Sequence, residues 1–315
     1  MVNLLIVASL IIILCVIFNK VSSKLGVPML LFFILLGMLF GADGIFKIDF
    51  GDYHIAESIC STALIFIMFY GGFGTKWSEA KPIAVKAVML SSLGVILTAL
   101  IVGLFCYFVL KIEILESLLI GSVISSTDAA SVFSILRSKK LGLKYNTASL
   151  LEVESGSNDP CSYMLTSIIL AVMGGQAQGG AIVYMIFSQI VYGVVLGFVF
   201  AFVTRWLVKK ISLETAGFDA ILVLAMAVLA YAVPSAIGGN GYLSVYIAGI
   251  VLGNSQINNK KSLVNFFDGV TGLMQVLIFF LLGLLSYPSQ MVYSIVPAVA
   301  IALFLTFIAR PLSVF

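Results

Sequence analysis

The sequence predicts an all-α membrane protein that crosses the bilayer about eleven times. Three observations predict it. The 315 residues are 61% hydrophobic and only 10% charged, more apolar surface than a soluble fold of this length could hide. The apolar residues gather into runs long enough to cross about 30 Å of hydrocarbon at about 1.5 Å per residue. The basic residues gather in every second connection between those runs.

The first run, 2–18, has no basic segment ahead of it, and Asn19-Lys20-Val21-Ser22-Ser23-Lys24 is a poor cleavage site. It therefore reads as a span and not as a signal peptide. The runs at 27–42 and 240–254 are short. Those at 56–73, 83–110, 115–136, 147–173, 183–208, 217–236, 263–286 and 291–315 are full length. The last reaches Phe315 without a stop signal, so the chain is expected to be incomplete at its C-terminus.

Orientation follows from charge. Alternate connections hold Lys20 and Lys24; Lys76, Lys81 and Lys86; Arg137, Lys139, Lys140 and Lys144; Arg205, Lys209 and Lys210; Lys260 and Lys261. These are 14 of the 17 Lys and Arg residues. The other connections hold only Lys47 and Lys111, among Asp43, Asp49, Asp52, Glu57, Glu113 and Glu116. The basic set is expected in the cytoplasm and the N-terminus outside. Arg310 is left over, inside the eleventh run.

Several functions find no support. Cys15, Cys60, Cys106 and Cys161 fall in separate apolar runs without metal-ligand spacing and read as packing residues. His54 is the only histidine. No phosphate-binding G-x-x-x-x-G-K-S/T loop marks an ATP-driven pump. No cofactor, no nucleic-acid partner and no enzymatic activity is expected.

The second run opens Gly26-Val27-Pro28-Met29 and closes Gly37-Met38-Leu39-Phe40-Gly41. The ninth opens Gly241-Tyr242-Leu243-Ser244 and closes Gly249-Ile250-Val251-Leu252-Gly253. By the charge rule they cross in opposite senses, which is the pattern of an inverted-repeat transporter. G-x-x-x-G spacing also serves close helix packing alone.

Two acid-bearing patches interrupt the apolar runs: Ser125-Ser126-Thr127-Asp128-Ala129-Ala130-Ser131 and Glu154-Ser155-Gly156-Ser157-Asn158-Asp159-Pro160. A carboxylate at membrane depth is costly and by default marks an ion or proton pathway. Asp128 and Asp159 each lie about thirteen residues, or about 20 Å, into adjacent antiparallel spans, so they are expected to meet near the middle. Pro160 lacks the N–H that would bond the Gly156 carbonyl. Carboxylate, hydroxyl and carbonyl oxygens form a hard-ligand set suited to Na⁺ or K⁺. Asp128 and Asp159 as hydrogen-bonded packing residues is the plain alternative. Glu154 and Arg310 fall at matching cytoplasmic depth and are expected to pair, since either alone would be an uncompensated charge. Glu152, Asp219 and Asp268, near the cytoplasmic starts of spans, read as helix caps or funnel residues.

Thr127-Asp128 and Glu154-Ser155-Gly156-Ser157-Asn158-Asp159, with Gly37-Met38-Leu39-Phe40-Gly41 and Ala309-Arg310-Pro311-Leu312, resemble the cation:proton antiporter-1 family of NhaP-type bacterial antiporters and animal sodium/proton exchangers. The resemblance extends over nearly the whole chain. It implies an inverted-repeat antiporter fold of the NhaA/NhaP type, with about thirteen spans of which eleven are present. The first repeat would cover about 1–173, a linker helix 183–208 and a partial second repeat 217–315. Thr127, Asp128, Asn158 and Asp159 would sit at crossed, partly unwound helices, with Asp159 carrying the exchanged ion or proton. Ser155 would be a further ligand and Glu154–Arg310 a stabilising ion pair. Asn158 before Asp159 is similar to the branch regarded as electroneutral. The resemblance also implies a homodimer in a bacterial inner or plasma membrane, and allows a C-terminal cytoplasmic regulatory domain. Two departures stand out. Some archaeal members carry a glutamate where this chain has Phe69-Tyr70-Gly71-Gly72, and the glycine/arginine-rich crossing helix and final span are not in the sequence.

The expected function is exchange of Na⁺ or K⁺ for protons by alternating access, with both competing for the oxygens of Asp128 and Asp159. A cation channel is the main rival, weakened by the lack of a TVGYG-like filter. A Na⁺-coupled solute symporter is the other, weakened because no aromatic-lined or arginine-bearing substrate pocket is evident beyond Arg310. The sequence does not choose between the two ions.

Overall fold

The computed structural model describes residues 6, 9–17, 28–128, 143–144, 147–211, 216–257 and 259–314. Among them are eleven helices and no strand. They are α1 (9–17), α2 (Met29–Phe40), α3 (Tyr53–Gly74), α4 (Trp77–Phe108), α5 (Ile114–Ile124), α6 (Thr147–Met173), α7 (Gly180–Lys210), α8 (Ala216–Ala236), α9 (Gly241–Gly253), α10 (Lys260–Leu284) and α11 (Pro288–Val314). Six of these, α3, α4, α7, α8, α10 and α11, are long and apolar enough to cross a membrane, and α2, α5 and α9 are shorter apolar helices. With 27 residues α6 has the length, but its first half carries Glu152, Glu154, Ser155, Ser157, Asn158 and Asp159. The apolar runs therefore fold as a polytopic membrane protein.

Two helices depart from their runs. α4 begins at Trp77, not at 83, because the chain passes Pro82 in a 3₁₀ turn over Lys81–Ile83. The 3₁₀ turn lets the helix continue past a residue that has no N–H to donate. The expected span 115–136 is not one continuous helix: α5 ends at Ile124, and Ser126, Thr127 and Asp128 follow in non-helical backbone. Ser125 donates to the Ser122 carbonyl at 2.7 Å, the kind of local hydroxyl bond that competes with helical pairing. Residues 129–136, with Lys20, Lys24, Arg137, Lys139 and Lys140, lie outside the described residues.

The chain divides into two compact units. One comprises residues 1–67, 130–142 and 267–294. Its described core is Ile11, Cys15, Leu30, Phe33, Leu36 and Phe40, flanked by Phe279, Phe280 and Leu284. Here α2 and α10 touch backbone to backbone. A methyl group on Gly37 would strike the Phe280 carbonyl, and one on Gly283 the Ile34 carbonyl.

The other unit comprises residues 68–129, 143–266 and 295–315. Val102, Cys106 and Ala309 centre one cluster, in which the rings of Phe105 and Phe304 stack 4.0 Å apart. Small residues again set the helix spacing. Gly121 of α5 lies against the Ala99 carbonyl of α4, Gly197 of α7 against that of Ser244, and Gly249 and Gly253 of α9 against those of Phe69 and Phe73. In lipid, where burial of apolar surface does not drive helices together, such close approach supplies much of the association energy. Gly249→Val is therefore expected to cost at least the ~1–3 kcal/mol of an overpacked core. It should be seen as a lower melting temperature and a smaller monodisperse fraction in detergent; an unchanged melt would contradict the packing.

Candidate ion-binding site

The second unit brings the two polar patches together. The break after Ile124 leaves the carbonyl end of α5 facing α6, and the negative end of a helix dipole favours positive charge. The Arg310 guanidinium fills that role, donating from Nη2 to the Ser125 carbonyl at 2.7 Å. Its Nη1 lies 3.7 Å from Glu154 Oε1. A π-turn over Leu305–Ala309 immediately precedes Arg310. Such a turn shifts the register of the side chains after it, and π-turns gather at functional sites.

Asn158 is fully buried at the centre of the contact. Its amide donates to Thr127 Oγ1 at 2.6 Å and to Glu154 Oε1 at 3.3 Å. Its Oδ1 accepts from Ser126 Oγ at 2.9 Å. Thr127 Oγ1 and Ser155 Oγ lie 3.0 Å apart, and Ser155 Oγ donates to Glu154 Oε2 at 3.4 Å. Ser126 also hydrogen-bonds the Asp159 carboxylate. One hydroxyl proton serves one acceptor at a time, so Asn158 and Asp159 compete for it. Asp159 is partly buried, while Asp128 is exposed at the end of the described segment, within electrostatic reach of Asp159.

The site thus holds an oxygen-rich concentration of Ser126, Thr127, Ser155 and Asp159 beside a neutral amide. Its second carboxylate, Glu154, is already engaged by Arg310 and Asn158. Ser157 spends its hydroxyl on the Val153 carbonyl of its own helix at 2.5 Å. Asp219 is buried in the first turn of α8 and accepts from Asn259 at 2.9 Å, while Tyr70 is half-buried on α3.

Two contributors come from α9 and were not foreseen. Asn240 Nδ2 donates to the Pro160 carbonyl at 2.8 Å, and its Oδ1 accepts from Leu243 N at 3.0 Å. One side chain caps α9 and ties it to the helix of Asp159. The sequence shows an asparagine before a helix, which signals the cap, but nothing in it signals a partner 80 positions away. Asn240→Ala is expected to cost ~1–2 kcal/mol for the cap and more for the orphaned carbonyl. A melting temperature equal to the wild type's would contradict this. The second contributor is Tyr246, whose ring and hydroxyl lie over Gly156.

Residues 8–315 match the family described as "Sodium/hydrogen exchanger, transmembrane". A protein of Alkalimonas amylolytica named K(+)/H(+) antiporter NhaP is 38% identical over 295 residues, covering 93% of this chain and 51% of that protein. K(+)/H(+) antiporter NhaP2 of Shewanella sp. strain MR-4 is 35% identical over 302 residues, covering 95% of this chain and 52% of its own. This chain spans about half the length of both relatives. The structure of the sodium proton antiporter MjNhaP1 from Methanocaldococcus jannaschii at pH 8 superposes with a TM-score of 0.82 at 25% identity, covering 97% of this chain and 75% of that one. The chain belongs to the sodium/hydrogen exchanger family of transmembrane proteins, whose matched members are transporters and not enzymes.

Proposed function

We propose that this chain forms the ion-exchanging part of a monovalent cation/proton antiporter, with Asp159 as the group that holds the cation and the proton in turn. The observation that carries the reading is the setting of Asp159. Its carboxylate is hydrogen-bonded by Ser126 at the broken end of α5, where Thr127 and Ser155 bring their hydroxyls together, while the neighbouring acid, Glu154, is already paired with Arg310. A carboxylate withdrawn from water favours its neutral form unless a cation sits beside it. Cation and proton then exclude one another from the same oxygens, and that exclusion couples their opposite fluxes. Thr127, Ser155 and Asp128 would complete the coordination, and Asn158 would hold the two helices in register.

The reciprocal packing of the glycine-marked helices supports alternation between two repeats, about 1–173 and 217–315. α2 lies against the end of α10, and α9 lies against the end of α3, so each short helix meets the helix that follows its counterpart. An exchange of partners of this kind suits an inverted-repeat transporter. The alternating basic connections support a cytoplasmic placement of Lys76, Lys81, Lys86, Lys144, Lys209, Lys210, Lys260 and Lys261, with the N-terminus outside.

The relatives at 38% and 35% identity carry potassium in their names, and MjNhaP1 carries sodium. K⁺ is therefore the first ion to test. In vesicles holding the intact protein and an imposed pH gradient, addition of K⁺ or Na⁺ is expected to dissipate the gradient. A cation current with no proton movement would instead indicate a channel.

A further inference from the structure

Tyr246 is gripped between two glycines. On α9 its backbone rests on Gly72 of α3, where a methyl group would strike the Tyr246 carbonyl. Its phenol reaches α6, where a methyl on Gly156 would stand 2.8 Å from the hydroxyl oxygen and 3.0 Å from the ring. The side chain is 3% exposed, and its hydroxyl makes no hydrogen bond with the described residues. The Thr75 hydroxyl is a polar neighbour of the phenol; it donates to the Gly71 carbonyl at 3.0 Å, and its oxygen keeps lone pairs that can accept. A buried hydroxyl without a partner is destabilising, and a phenylalanine would fill the same space without that cost.

The position of the hydroxyl gives it a task. Residues 152, 156 and 159 are four and three apart, so they share one face of α6. The Tyr246 oxygen lies over the middle of that face, with Glu152 one turn to one side and Asp159 one turn to the other, both within its electrostatic reach. Asp159 draws its hydrogen bond from Ser126, whose single proton is contested by Asn158. Both amide protons of Asn158 are directed at Thr127 and Glu154. On this face of α6 the phenol is a donor without a hydrogen bond among the described residues.

We propose that Tyr246 is a positioning residue of the ion site, donating its hydroxyl proton to the Asp159 carboxylate when that group is charged and Ser126 turns to Asn158. The inference rests on the cation/proton reading above. Because a phenol donates to a charged carboxylate far better than to a neutral acid, it biases Asp159 toward the form that accepts a cation.

The test is Tyr246→Phe in the intact protein reconstituted into vesicles, with K⁺- and Na⁺-driven proton movement measured over a range of cation concentrations. The apparent KM is expected to rise by about tenfold, the value of one hydrogen bond to a charged group. The maximal rate should stay within about twofold, since the ligand oxygens remain. The melting temperature should be equal to or above the wild type's, because no existing hydrogen bond is removed. Gly156→Ala, which displaces the hydroxyl, should raise KM in the same way. Tyr246→Phe/Gly156→Ala should be no worse than the poorer single variant, as expected for two changes acting through one contact. A Tyr246→Phe protein with unchanged KM overturns the proposal, and so does one with a lowered melting temperature and a loss confined to maximal rate. Either leaves the antiport reading standing. A wild-type protein that exchanges neither ion for protons would sink that reading, and this inference with it.

Discussion

Asp159→Asn is expected to reduce cation-driven proton movement to that of protein-free vesicles while leaving the fold intact. Asparagine matches aspartate in shape, and its Oδ1 can still accept from Ser126. What it lacks is the charge that would hold a cation and the site that would hold a proton, and antiport needs both. Its melting temperature should stay close to the wild type's, because a neutral amide is cheaper to bury than a carboxylate. Asp128→Asn should be milder, raising the apparent KM without abolishing exchange, since Asp128 is exposed while Asp159 is partly buried and bonded by Ser126. Exchange that persists in Asp159→Asn would move the site elsewhere.

The second large effect is on stability. Arg310→Ala removes two interactions at once, the pair with Glu154 at 3.7 Å and the bond to the Ser125 carbonyl at 2.7 Å. Removing one partner of a buried ion pair costs ~3–5 kcal/mol. The lower end applies, because the two side chains keep 22% and 11% of their exposure. Glu154→Ala should be less damaging than Arg310→Ala: the guanidinium would keep the Ser125 carbonyl, and the Asn158 amide would keep Thr127. Glu154→Gln combined with Arg310→Met should melt above Arg310→Ala, since no uncompensated charge is left. The measurements are the melting temperature and the yield of folded protein in detergent. Loss of exchange at an unchanged melting temperature would place the pair in the ion path and not in the scaffold.

Much of this fold is legible in hydropathy, because lipid demands that backbone polar groups be paired within each span. Among the described residues each of the eleven apolar runs contributes a helix. Where the sequence misled, it did so for identifiable reasons. Hydropathy cannot see the break after Ile124, since the residues around it stay apolar enough to read as span. Only the hydroxyls of Ser125, Ser126 and Thr127 hint that the helix has competitors. The run read from residue 83 starts earlier in the fold, at Trp77, because Pro82 is absorbed in a 3₁₀ turn.

In the candidate site, depth arithmetic brought the two patches to one level, and Glu154 to that of Arg310. The arithmetic could not say which oxygens touch. Asn158, which the resemblance puts at the crossed helices, is the hub linking Ser126, Thr127 and Glu154. The contributions of α9 were out of reach for a different reason. Asn240 and Tyr246 are about eighty and ninety positions from the residues they meet, and periodicity carries no signal for such pairings.

The most direct test of the central claim, one site occupied in turn by cation and proton, is the pH dependence of cation affinity in vesicles. Initial rates should be measured against K⁺ and Na⁺ concentration at several fixed pH values. If one site is shared, the apparent KM should rise about tenfold for each unit that pH falls on the acid side, with the rate at saturating cation unchanged. An apparent KM that does not move with pH, or cation flux with no proton counterflow, would contradict the account.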